Sequence, residues 1–201
     1  MLAGAAEFFA ACLKARRHAL ADLHDDFADS LARNELFVCG TASKSTRSFL
    51  KTARAEKTPI LSLHSELVWG AEFKDIAREA VTRRAVTAFA SASRVILNIG
   101  LPNVRGPMAA RRLTAHLVQL AESVLQQIPV SQVYAEGGAT AAALVRRMGW
   151  QRLTVLRELA PGVACLAVDG NDSVRLTIKP GSYIWPPEIR RSPNSTATAV
   201  A

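Results

Sequence analysis

Cysteine is scarce in this sequence, and its placement excludes two architectures. Cys12, Cys39 and Cys165 are odd in number, far apart and set among apolar neighbours. That pattern excludes a disulfide framework and a zinc knot, and it fits buried free thiols in a reducing compartment. His18, His24, His64 and His116 have no metal-ligand spacing, so no metal site is expected. No apolar run is long enough to cross a bilayer. The opening stretch LAGAAEFFAACL is short, contains Glu7 and has no basic residue before it, so it reads as an amphipathic helix over residues 3–17 rather than a span or a signal. A cytoplasmic protein that makes no use of membranes is the expectation. Neither G-x-x-x-x-G-K-[ST] nor G-x-G-x-x-G occurs. The net charge of +8 comes with no basic run interleaved with aromatics, since the arginines are spread from Arg16 to Arg191. Nucleic acid is therefore not the expected partner, and the charge reads as solvated surface that favours anionic ligands.

What is present is an ordinary globular composition, 49% hydrophobic over 201 residues, enough for one good core. Without internal repeats or a linker, one domain over residues 1–189 is expected, followed by a disordered tail over 190–201. Strand-like runs at 36–40, 60–63, 93–100 and 130–136 alternate with helical periodicity after 43, over 71–91, over 108–127 and after 138. The residues between 100 and 107 read as a loop. Beyond 150 the period changes to two, and RLTVLREL, VACLAV and VRLTIK read as three closely spaced strands. The pattern predicts an α/β fold: a mainly parallel sheet with helices on both faces and antiparallel C-terminal strands.

Ligands of such sheets gather at the carboxyl ends of the strands. Three turns there share one chemistry: Gly40-Thr41-Ala42-Ser43, Gly137-Gly138-Ala139-Thr140 and Lys179-Pro180-Gly181-Ser182. Small residues, hydroxyls and helix starts suit a phosphate, because free N–H groups and the positive dipole end point into the turn. Strand–Gly–Gly–helix turns also occur for backbone reasons alone. The central unit continues into a helix whose Ala141, Leu144, Val145 and Met148 form one apolar stripe, with Arg146 and Arg147 in its last turn and Gly149 beyond it.

The segments LAGAAEFF, LFVCGTASKST, EGGATAAALVRRMGW, ELAPGV and TIKPGSY, in that order and over most of the chain, resemble the C-terminal nucleotide-binding domain of the four-carbon acid sugar kinases, the DUF1537 family. The resemblance implies ATP and Mg²⁺ as cofactors and phosphoryl transfer to acids such as threonate, erythronate or 3-oxo-tetronate. It also implies that Thr41 and Ser43 lie in an ATP-contacting turn and that Gly137, Gly138, Ala139 and Thr140 form the central nucleotide loop. Gly181, with Lys179 beside it, completes the implied site. Ala139 departs from the acidic residue common at that place in the family, and KPGSY departs from KSGNF. Family members also carry an N-terminal sugar-acid domain with a D-D-x-T-G-type motif. Asp25-Asp26, in DLHDDFADS, lacks the threonine and glycine. The expectation is an ATP-binding half that works with a separate sugar-acid domain or subunit, or as a homo-oligomer, and that contains no identifiable catalytic base. Trp69, Phe73, Ile184 and Trp185 are candidates for the surface left exposed. The alternative is a non-catalytic nucleotide-binding or interaction module derived from the same fold.

Overall fold

In the computed structural model, residues 34–63, 74–100 and 106–190 are described. The helix expected over 3–17, Cys12, Asp25-Asp26, Trp69, Phe73, most of the 100–107 loop and the tail beyond 190 lie outside these residues.

The sheet has seven strands. Five are parallel: β1 (Glu35–Cys39), β2 (Ile60–Ser62), β3 (Arg94–Asn98), β4 (Gln132–Glu136) and β7 (Asn171–Lys179). Two more, β5 (Leu153–Ala160) and β6 (Val163–Val168), join β7 as antiparallel strands, giving the order β2-β3-β1-β4-β7-β6-β5. The connecting helices are α1 (Lys44–Ala55), α2 (Lys74–Phe89), α3 (Pro107–Leu125) and α4 (Gly138–Arg147), and a short α5 (Pro187–Arg190) follows β7. This is the predicted class. Among the described residues no helix is long and apolar enough to cross a membrane.

β1 is buried at every position because it is flanked by β3 and β4 and covered on both faces. A continuous apolar run such as LFVC is what such a strand requires. Alternate residues feed two cores. Leu36 and Val38 join the aliphatic cluster under α2, α3 and α4, to which Val81, Leu117 and Leu144 contribute. Phe37 and Cys39 join a smaller cluster under α1 and α5. There Phe37 stacks on Tyr134 at 4.2 Å between centroids and meets the edge of Trp185 at 5.7 Å. Each such pair contributes about 0.5–1.5 kcal/mol beyond its buried area.

The predicted stripe on α4 is confirmed, with Ala141 and Leu144 buried and Val145 and Met148 half-buried. Gly149 (φ 69°) ends this helix. Its N–H donates to Arg146 O and that of Trp150 to Val145 O, the bonds of a Schellman cap.

Residues 185–190, at the end of the expected domain, fold back over the α1 face. Trp185 and Ile189 are buried in its core, and Arg94 Nη1 donates to the Arg190 carbonyl at 3.4 Å. Two large apolar anchors in six residues outweigh the polar composition around them.

Cys39 and Cys165 are buried free thiols, as expected. Burial, and next the neighbouring Glu136 charge, push the Cys39 thiol well above the ordinary range, which leaves it without reactive thiolate. Both cysteines are expected to resist iodoacetamide in the native protein and to react once urea unfolds it. Peptide mapping that finds either one alkylated under native conditions contradicts this.

Candidate functional site

The candidate site lies between β1 and β4. β1 leads into α1 on one face and β4 into α4 on the other, so their adjacent carboxyl ends diverge. A crevice at such a switch point is where open α/β sheets bind ligands.

One residue, Gly137, joins β4 to α4. Its φ of 98° lies where L side chains rarely go, and a Cβ there would approach Thr41 Cγ2 to 2.9 Å. Thr41 also occupies the space in front of Gly181, whose added Cβ would come within 2.5 Å of the same methyl. Ser45 Oγ donates to the Gly181 carbonyl at 3.0 Å. The three turns picked out in the sequence therefore meet, with the Thr41 side chain wedged between the other two.

Two helix N-termini open onto this junction. Ser43 caps α1, its Oγ accepting from the Thr46 N–H at 3.1 Å. α4 has no side-chain cap, and neither helix has an acid in its first turn. The first N–H groups of α4 consequently have no intrahelical acceptor. Gly138 and Ala139 are exposed, and a Cβ added at Gly138 would meet nothing within 4 Å. The left-handed conformation belongs to Gly137, so what Gly138 supplies is open space in front of the helix dipole. Lys44 and Arg47 stand exposed beside the α1 end. The arrangement suits an anion.

Two of the expected site residues face elsewhere. Thr140 was expected to offer its hydroxyl to the cradle. It is buried instead, and its Oγ1 fills the place of a Gly40 side chain, 1.7 Å from where that Cβ would stand. Lys179 was expected to stand beside the phosphates. It is 1% exposed, its Nζ 3.4 Å from Glu136 Oε1 and donating to the carbonyls of Pro180 and Tyr183. Burial lowers its pKa, and the Glu136 charge opposes that shift. Both residues hold the turns together from beneath. The interface assignment of Trp185 is also corrected, since it is 2% exposed, whereas Ile184 is 66% exposed.

Sequence reading missed the centre of this arrangement, Glu136. Its carboxylate is fully buried at the end of β4, in register with Cys39 of β1 and Lys179 of β7. Oε1 accepts from Thr41 Oγ1 at 2.7 Å and from Thr46 Oγ1, and Oε2 accepts from Trp185 Nε1 at 3.3 Å. One carboxylate thus ties the β1 turn, the first turn of α1, the end of β7 and the folded-back segment to one another. A clue was available: an acid closing the apolar run VYA just before two glycines is costly unless paired. A second buried pair, Arg94 Nε to Glu35 Oε2 at 2.6 Å, lies at the opposite, amino end of the strands.

The described residues do not fit a protein-held Mg²⁺. No group of three His, Cys, Asp or Glu side chains is found among them, position 139 carries no carboxylate, and Glu136 is already engaged below the surface.

Fold and junction together define an α/β domain in which two helix N-termini meet at the topological switch point. The sequence model of the family described as nucleotide-binding C-terminal domain matches residues 36–183, and the chain belongs to that family. This agrees with the resemblance to the C-terminal domain of the DUF1537 proteins. Solved structures are similar in fold. A Haemophilus influenzae DUF1537 protein superposes with a TM-score of 0.63 at 21% identity, over 87% of this chain and 42% of its own. A Bordetella bronchiseptica DUF1537 domain, a domain-swapped dimer with bound citrate, has a TM-score of 0.59 at 14% identity, over 74% of this chain and 37% of its own. The chain thus spans about two fifths of the length of these proteins. No match was found among curated proteins.

Proposed function

We propose that this chain is the ATP-binding half of a four-carbon acid sugar kinase, acting in the cytoplasm on an acid of the threonate, erythronate or 3-oxo-tetronate type. The observation that carries the proposal is the uncapped N-terminus of α4, held open at Gly138 where three turns interlock. In the proposed role, the N–H groups of Gly138 and Ala139 hold phosphate oxygens. Lys44 and Arg47 add positive charge, and Thr41 and Ser43 shape the turn beside them. Such a site works by positioning and charge neutralisation rather than by covalent chemistry. Mg²⁺ would arrive with the nucleotide as MgATP, since no cluster of three His, Cys, Asp or Glu side chains is found among the described residues to hold it beforehand. The acceptor acid and a catalytic base come from a second domain or subunit. Ile184, exposed beside the junction, is proposed as part of the surface that meets this partner or a second copy of the chain.

A non-catalytic nucleotide-binding module is the second reading, favoured by Ala139 and by the absence of a solvent-facing carboxylate among the described junction residues. The test is ATP turnover with a panel of four-carbon acids, with and without a sugar-acid domain from a family member. No turnover is expected from the chain alone, because near-attack geometry needs both substrates held. Turnover is expected once the second domain is added. Phosphorylation by the chain alone overturns the divided-kinase reading. ATP binding without turnover in either arm favours the non-catalytic one.

A further inference from the structure

A groove of about 380 Å³ runs along the outer side of α1, away from the α4 end of the junction. Lys44, Ser45, Ser48 and Thr52 line it from the helix, and Ile184 and Arg190 from the folded-back segment. The spacing 45, 48, 52 is one helical face, and from Lys44 to Thr52 that face is about 12 Å long.

The two ends of the groove differ. The upper end adjoins the turn junction, because Ser45, which lines it, also donates to the Gly181 carbonyl. The lower end is Arg190, near the amino ends of the strands, where Arg94 of β3 holds its carbonyl. The Nε of Arg190 is buried and has no hydrogen-bond partner among the described residues. Between the ends, Phe49 and Trp185 form an apolar floor, with Ile184 exposed at the side. No acid is among the described residues that line the groove, and their polar side chains carry hydroxyls and cations besides the engaged Trp185 indole. The matching ligand is rich in hydrogen-bond acceptors and has an apolar face; both ends carry a cation, and the helix N-termini of the junction favour its negative charge at the upper one.

We infer that this groove receives the nucleoside end of the nucleotide, with the phosphates at the turn junction and the base lying toward Arg190. The inference rests on the nucleotide-binding reading above and adds to it a direction and a base subsite. A purine or pyrimidine offers ring nitrogen and carbonyl acceptors to a donor-only guanidinium. Its flat face packs on Ile184 and the floor, and the ribose hydroxyls fall along Ser48 and Thr52. The volume lies at the lower end of that usual for small-molecule sites, which suits a nucleoside.

Titration calorimetry of the full chain with MgATP and with magnesium tripolyphosphate, a ligand with phosphates and no nucleoside, tests the inference. Ser48→Trp fills the groove from an exposed helix position, and Arg190→Met removes the donors at its lower end. Both variants are expected to weaken MgATP by about tenfold or more while leaving tripolyphosphate within about twofold. If both variants bind MgATP as the wild type does, the groove assignment is overturned and the nucleotide reading stands. Equal loss of both ligands also overturns it, because the phosphates would then lie in the groove. A wild-type chain that binds neither ligand overturns the nucleotide reading and this inference with it.

Discussion

Replacing Glu136 with alanine is expected to cost the domain about 3–5 kcal/mol, the range for removing one partner of a buried ion pair. At about 2–4 °C per kcal/mol for a domain of this size, the melting midpoint falls by roughly 6–20 °C. The loss has several sources. Lys179 is left as a buried cation, and the hydroxyls of Thr41 and Thr46 and the indole N–H of Trp185 lose their acceptor. Burial already lowers the Lys179 pKa, and the Glu136 charge works against that shift. Without the carboxylate, Lys179 can release its proton more readily, which caps the damage. Glu136→Gln keeps an acceptor for the threonines and removes only the charge, so a smaller loss is expected. Pairing Glu136→Ala with Lys179→Met is expected to recover part of the loss, because no unpaired charge then remains buried. Urea and thermal melts of the four proteins decide the matter. A cost below about 1 kcal/mol for Glu136→Ala would mean that the network carries little stability.

The second large effect is on ligand binding and separates two adjacent glycines. Nucleotide at about a hundred times its Kd stabilises a folded protein by roughly 2.7 kcal/mol. For this chain that corresponds to a midpoint shift of roughly 5–10 °C with MgATP or MgADP. Gly138→Val is expected to abolish the shift and to leave the ligand-free midpoint unchanged or slightly raised. A Cβ added at 138 meets nothing within 4 Å among the described residues, and valine has a higher helix propensity than glycine. It does, however, stand in front of the free N–H groups of α4. Gly137→Val is expected to fail differently, by lowering the ligand-free midpoint, because its backbone has φ 98° and its Cβ would press on Thr41. Thr140→Ala also acts on the fold, since Thr140 is buried against Gly40. Differential scanning fluorimetry with and without nucleotide separates the three variants. A full shift in folded Gly138→Val places the nucleotide away from this loop.

The alternating pattern of strands and helices, the change to a period of two after residue 150, and the three hydroxyl- and glycine-bearing turns were all legible in the one-dimensional order of residues. So was the motif set of the family. Those features are local: each depends on side chains within a few positions along one strand, helix or turn. Other properties depended on which strands become neighbours. β4 and β7 are adjacent although about 40 residues separate them in sequence, and that pairing brings Glu136 beside Lys179. Reading along the chain, Lys179 looked like a phosphate ligand and Trp185 like exposed surface. The sheet instead turns the lysine inward and folds the tryptophan over it, 5.1 Å from Lys179 Nζ to the ring centroid. A charge near a ligand site and a charge buried beneath it have the same local sequence signature. They differ in what lies across the sheet, and burial of a charge is tolerated only where a partner arrives from there. The sequence by itself determined the fold class, the family and the three turns that meet at the junction. Only the tertiary structure decided that Gly138 faces open space while Gly137 bears the turn, and that Glu136 holds the junction together from below.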